Sequence, residues 1–91
     1  MIGYVMIGTN DLDRGARFYD ALLAPLGLVQ VERVETYAAY APKAAKDAIE
    51  FYVTRPFDQA PATPGNGTMI ALSAPTMQAL EQFHRLGLQN G

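Results

Sequence analysis

Apolar residues fill the first stretch of the chain, Met1 to Gly8, and this run predicts a buried strand. Thr9-Asn10-Asp11 then marks a helix start. Asn10 is the expected N-cap, because a short side-chain oxygen there can accept orphan backbone N–H groups, and Asp11 and Asp13 suit the positive end of the helix dipole. Leu12, Ala16, Tyr19 and Leu23 recur at helical spacing and form one apolar stripe, which Pro25 and Gly27 bring to a stop. Leu28 to Val34 and Glu35 to Tyr40 are rich in Val and Tyr and predict two tightly joined strands. Pro42 to Asp47 is a loop, and Ala48 to Thr54 is a further strand. Pro56, Pro61, Pro64, Gly65 and Gly67 make Arg55 to Gly67 an irregular connection. Thr68 to Ala74 predicts a fifth strand. Thr76 caps a second helix, expected to end at Gly87 and to turn Leu80, Phe83 and Leu86 towards a core.

The element order is therefore β-α-β-β-β, a linker, then β-α. The last part opens as the first does. Sliding the chain along itself by about 65 positions, a period suited to a large supersecondary unit, sets Val5-Met6-Ile7 against Ile70-Ala71-Leu72. The same shift sets Leu12 against Met77 and Phe18-Tyr19 against Phe83-His84. The division is 1–54 for a first module, 55–67 for a linker and 68–91 for the start of a second. A complete second copy needs about three more strands after Gly91.

Composition narrows the functional classes. A chain of 91 residues supports one small domain, and its 49% hydrophobic content is too high for a disordered segment. A net charge of −2 excludes a binder that neutralises nucleic-acid phosphates with a dense basic face. With no cysteine, there is no disulfide, thiolate nucleophile or thiolate zinc site, and one histidine excludes a multi-imidazole metal site within the chain. No apolar run approaches the roughly 18 residues of a membrane span. No basic side chain precedes Arg14, so the N-terminus does not resemble a secretory signal. A cytoplasmic globular domain is the expectation.

Strand alternation sorts the remaining chemistry. Val5 and Ile7 share a face, as do Ile49, Phe51 and Val53, and as do Ile70 and Leu72; these faces suit packing under helices. The opposite faces carry Tyr4, Met6, Glu50, Tyr52 and Met69, a set that could line a small-molecule cleft. Glu50 stands out, since a carboxylate between Ile49 and Phe51 on a central strand would lose water. It is then a general base or a metal ligand, or else a carboxylate at the sheet surface or one paired with an arginine. Tyr4, Tyr37, Tyr40 and Tyr52 either line a pocket or serve as strand formers. His84 falls late in the second helix, where a surface position is expected. Pro64-Gly65-Asn66-Gly67 is turn chemistry; it lacks the lysine and helix of a phosphate loop.

The segment Ile2 to Leu12, with Arg17-Phe18-Tyr19 and Leu22 to Gly27, resembles the opening strand and helix of the vicinal oxygen chelate superfamily. That superfamily includes glyoxalase I, extradiol dioxygenases and bleomycin-resistance proteins. Gly65 to Leu72, followed by Ala74-Pro75 and Phe83-His84, is similar to the start of its second module. The resemblance implies an α+β fold of paired β-α-β-β-β modules curled around one cleft, often completed in a homodimer, with the second module incomplete in these residues.

The resemblance also implies a set of metal positions, and here the chain departs from it. Metal-dependent members place histidines where this sequence has Tyr4 and Met69, whereas Glu50 matches the family glutamate. The family's last carboxylate ligand belongs to a strand beyond these 91 residues. A phenol with a reference pKa of about 10 and a soft thioether are poor ligands for hard divalent ions. The expectation is therefore no metal and no cofactor. The expected function is small-molecule binding without a metal, with Tyr4, Met6, Tyr52 and Met69 as the binding set and Glu50 as hydrogen-bond acceptor or catalytic base. The alternative is a lyase, isomerase or dioxygenase-like enzyme whose divalent metal is held by Glu50 with a partner chain or further strands. The expected partners are a small molecule and a second copy of the chain, with no nucleic acid and no membrane.

Overall fold

Thr9 and Asp11 turn the chain out of its first strand and into its first helix. The N-cap is Asp11, with extended backbone, and its Oδ1 accepts the Arg14 N–H at 3.1 Å; the Thr9 hydroxyl accepts the Asp11 N–H. This corrects the expectation for Asn10, whose side chain has another task. Its Oδ1 accepts the Ala62 N–H at 2.7 Å and its Nδ2 donates to the Ala62 carbonyl, which ties the linker to the sheet end. Removing the cap in Asp11→Ala is expected to cost about 1 kcal/mol of stability, read as a lower urea midpoint with an unchanged slope.

A computed structural model describes residues 1–91. The elements are β1 (Val5–Gly8), α1 (Leu12–Leu23), a single 3-10 turn (Ala24–Leu26), β2 (Leu28–Arg33), β3 (Tyr37–Pro42), β4 (Phe51–Thr54) and α2 (Met77–Asn90). They form an α+β fold: one four-stranded sheet in the order β1-β4-β3-β2, with the helices on one side. β1 lies parallel to β4, and β2-β3-β4 is an antiparallel meander. No helix is long and apolar enough to cross a membrane.

The core lies between α1 and one face of the sheet. Leu12, Ala16 and Leu23 supply the helix side and Ala38, Tyr40, Phe51 and Val53 the sheet side, with Val5, Ile7 and Tyr19 packed around them. The predicted helical stripe and the Phe51–Val53 face are therefore both in place. Tyr40 sits wholly within this core, its hydroxyl 3.1 Å from the Ala16 carbonyl and 2.8 Å from Asp20 Oδ1. Gly27 ends the 3-10 turn at φ 85°, a left-handed conformation that favours glycine.

Three expectations fail for identifiable reasons. Residues 68–74 form no strand, because they meet no ladder; Ile70 and Leu72 instead lie in an apolar groove with Leu26, Leu80 and Phe83. The second helix is capped by Thr76 as predicted but runs past Gly87 to Asn90. A Cβ at Gly87 would come 3.2 Å from Leu22 Cδ1, so this glycine permits a close helix–helix approach and does not terminate α2. The buried residue of α2 is Ala79, whereas Leu80, expected to face the core, is about half exposed.

Candidate functional site

The sheet face turned away from the helices is exposed at Tyr4 and Met6 and closed over Ala39, and alternation decides which residues it carries. Register pairs Met6 with Tyr52 across β1 and β4, Tyr52 with Ala39 across β4 and β3, and Ala39 with Glu32 across β3 and β2. Tyr4 precedes β1 in the same alternation, and Tyr37 shares the parity of Ala39.

The phenols meet edge to face. The Tyr52 ring lies 4.9 Å from that of Tyr4 at 67° and 5.4 Å from that of Tyr37 at 73°, so Tyr52 is the centre of a row of three. Such pairs contribute about 0.5–1.5 kcal/mol each beyond the area they bury. The row is open at its Tyr4 end, where Tyr4 is 54% and neighbouring Met6 51% exposed; Tyr52 and Tyr37 are half-buried. At one end the Tyr37 hydroxyl donates to Glu32 Oε1, and this bond raises the Tyr37 pKa above its ordinary value of 10.

Glu50 stands at the other end. Its N–H donates to the Tyr40 carbonyl and its own carbonyl accepts the Val5 N–H, each at 3.0 Å, so its backbone is clamped between β3 and β1. Its side chain, expected to lose water, is exposed, because it lies one residue before β4 at the lip of the sheet. There it borders a cleft of about 220 Å³ with Ile2, Tyr4, Ile70, Ala71 and Leu72. It forms no ion pair; the chain's single one joins Arg33 to Asp13. A more polar hollow of about 250 Å³ lies at the opposite end of the sheet, around Thr9, Asn10 and Arg55, and contains none of these residues.

Of the residues singled out in the sequence, Tyr4, Met6 and Tyr52 share one surface, with Glu50 at its rim. Met69 does not join them through a ladder and is 89% exposed. Tyr37 completes the row, whereas Tyr40 faces the core. These two are three positions apart in one strand, so they must point to opposite faces.

Glu32 escaped notice for a different reason. A bulge between Gln30 and Glu32 inserts Val31 and reverses the alternation. Gln30 therefore reaches under the sheet, its Nε2 donating to Asp20 Oδ1 at 2.9 Å, whereas Glu32 emerges on the open face. A regular strand would have set both on one side.

The donors on this face do not fit a hard divalent ion. They are phenols, a thioether and carboxylates at opposite ends, and nowhere do three His, Asp or Glu side chains converge. The chemistry this set supports is stacking against flat apolar groups, hydrogen bonding by phenol hydroxyls, and proton acceptance by Glu50.

No protein-family model matches the chain. A comparison with curated proteins likewise returns no match. Among solved structures, the crystal structure of a glyoxalase/bleomycin resistance protein from Albidiferax ferrireducens T118 superposes with a TM-score of 0.85 at 35% identity, over 98% of this chain and 70% of that one. At that identity and coverage the likeness extends beyond the fold, and the chain belongs to the glyoxalase/bleomycin resistance protein family, consistent with the vicinal oxygen chelate superfamily.

Proposed function

We propose that the protein binds a flat organic molecule on the open face of its sheet without a metal ion. The observation that carries this reading is the row Tyr4–Tyr52–Tyr37, in which Tyr52 meets both outer rings edge to face, with Tyr4 exposed and the other two half-buried. Aromatic side chains left open on a rigid sheet are a preformed apolar platform, and Met6 beside Tyr52 adapts its shape to what lies there. Glu50 at the rim accepts a hydrogen bond from the bound molecule or takes a proton from it. Family membership supports a small-molecule role and leaves the molecule open.

The test is Tyr52→Ala against the parent in a ligand screen followed by NMR of the tyrosine ring signals. Loss of the central ring is expected to weaken binding at least about tenfold. The melting midpoint should also fall by several degrees, because Tyr52 packs edge to face on both Tyr4 and Tyr37, so binding is compared well below the variant's midpoint. Equal affinity in parent and variant would remove the platform from the site.

Pairing with a second copy belongs to the same proposal. β1 is an edge strand, and Ile2, Tyr4 and Met6 beside it are bare, so a second chain laid against them would close the platform into a cleft. Light scattering at micromolar concentration should give twice the chain mass. A monomer mass would count against the pairing.

A further inference from the structure

We infer that the molecule held by this platform is a planar organic cation, an N-alkylated heteroaromatic ring or its equivalent. The inference deepens the binding proposal and rests on it. Its ground is the distribution of charge on the open face.

Glu32 and Glu50 stand at the two ends of the tyrosine row. The Val31 bulge brings Glu32 onto this face and the Tyr37 hydroxyl holds it there, while the backbone clamp on Glu50 fixes the other end. Between them lies the row of phenol rings, packed edge to face on one another, whose π systems attract a cation that reaches them. Nothing positive on the strands answers these charges: β1, β3 and β4 contain no Lys or Arg, and Arg33 of β2 is drawn to the helix side by Asp13. Lys43 and Lys46 belong to the turn between β3 and β4, and neither reaches ion-pair distance of Glu50. A cation over the rings gains from both the π faces and the carboxylates. A carboxylated or phosphorylated ligand of the same shape meets repulsion at both ends.

Three probes of nearly equal size separate charge from shape: N-methylquinolinium, 2-methylquinoline (uncharged at pH 8) and 1-naphthoate. Binding is read by titration at low and high salt. N-methylquinolinium is expected to bind about tenfold more tightly than 2-methylquinoline, with 1-naphthoate weakest. Added salt should erode the preference, since both carboxylates are solvent-facing.

In the double variant Glu32→Gln, Glu50→Gln, the preference should fall towards parity; glutamine at 32 still offers Tyr37 an acceptor. The salt titration uses the parent protein alone and decides the matter even if the variant folds poorly. Equal binding of the three probes, or tightest binding of 1-naphthoate, combined with loss in Tyr52→Ala, would overturn the charge inference and leave the platform standing. No binding of any probe would overturn both.

Discussion

Leu23→Ala is expected to lower the melting midpoint by at least about 10 °C, measured by calorimetry or far-ultraviolet circular dichroism. Leu23 has no solvent exposure and packs in the cluster with Leu12, Ala16, Tyr40, Phe51 and Val53. Truncating such a leucine removes its transfer free energy and leaves a cavity that its surroundings fill only partly, which together cost about 2–5 kcal/mol. A domain of this size has only about 5–15 kcal/mol in total, so the loss is a large fraction of what holds it folded. The site resists collapse, because α1 is held at one end by the Asp11 cap and at the other by the Gly27 turn, and α2 lies against it. A drop of less than about 3 °C would mean that the helices close over the gap, and the core would then be softer than its packing implies.

The second large effect is alkaline. Burial, and then the hydrogen bond to Asp20, push the Tyr40 pKa well above its ordinary value of 10. In the unfolded chain the same phenol ionises near pH 10. The folded state therefore binds this proton more tightly than the unfolded state does. Its contribution to stability is complete below pH 10 and is lost as the pH rises through 10 towards the folded value.

The melting midpoint should be nearly flat up to about pH 9 and fall steeply above about pH 10. Tyr40→Phe should cost about 1–2 kcal/mol at neutral pH by removing the bonds to Ala16 and Asp20, with Asp20 still bound by Gln30. It should also make the alkaline decline shallower. Tyr19, raised by burial, and Tyr37, raised mainly by its bond to Glu32, act in the same direction and leave a residual slope. An unchanged decline in Tyr40→Phe would assign the alkaline loss to other groups.

How far this molecule was legible beforehand depended on whether local periodicity survived folding. Leu12, Ala16 and Leu23 follow the helical period without interruption, and all are buried. Val5 and Ile7, Phe51 and Val53 follow the strand period, and their faces fell as alternation requires. That Tyr4, Met6 and Tyr52 share the opposite face was legible for the same reason, as the complement of those buried sets. Glu32 was not, because a single bulged residue inverts parity and leaves no composition signal. Residues 68–74 looked like a strand because their apolar pattern is strand-like, but a strand also needs a neighbour, and that is a property of the whole sheet. Gly87 looked like a stop. It is instead a contact, and only the position of Leu22 distinguishes the two.

The parallel pairing of β1 with β4 bears on the order in which the molecule assembles. β2, β3 and β4 follow one another directly, through residues 34–36 and 43–50, so their ladders close smaller loops and lose less chain entropy in doing so. β1 finds its register only against β4, with α1, β2 and β3 all lying between the two in sequence. Its pairing therefore closes the longest loop of the sheet and carries the largest loss of chain entropy. Met6 rides on that strand and Tyr4 directly precedes it, so half of the proposed platform depends on this long-range ladder. A molecule seated across Tyr4 and Tyr52 would bridge the seam and act as a clasp on the sheet, coupling occupancy of the site to completion of the fold.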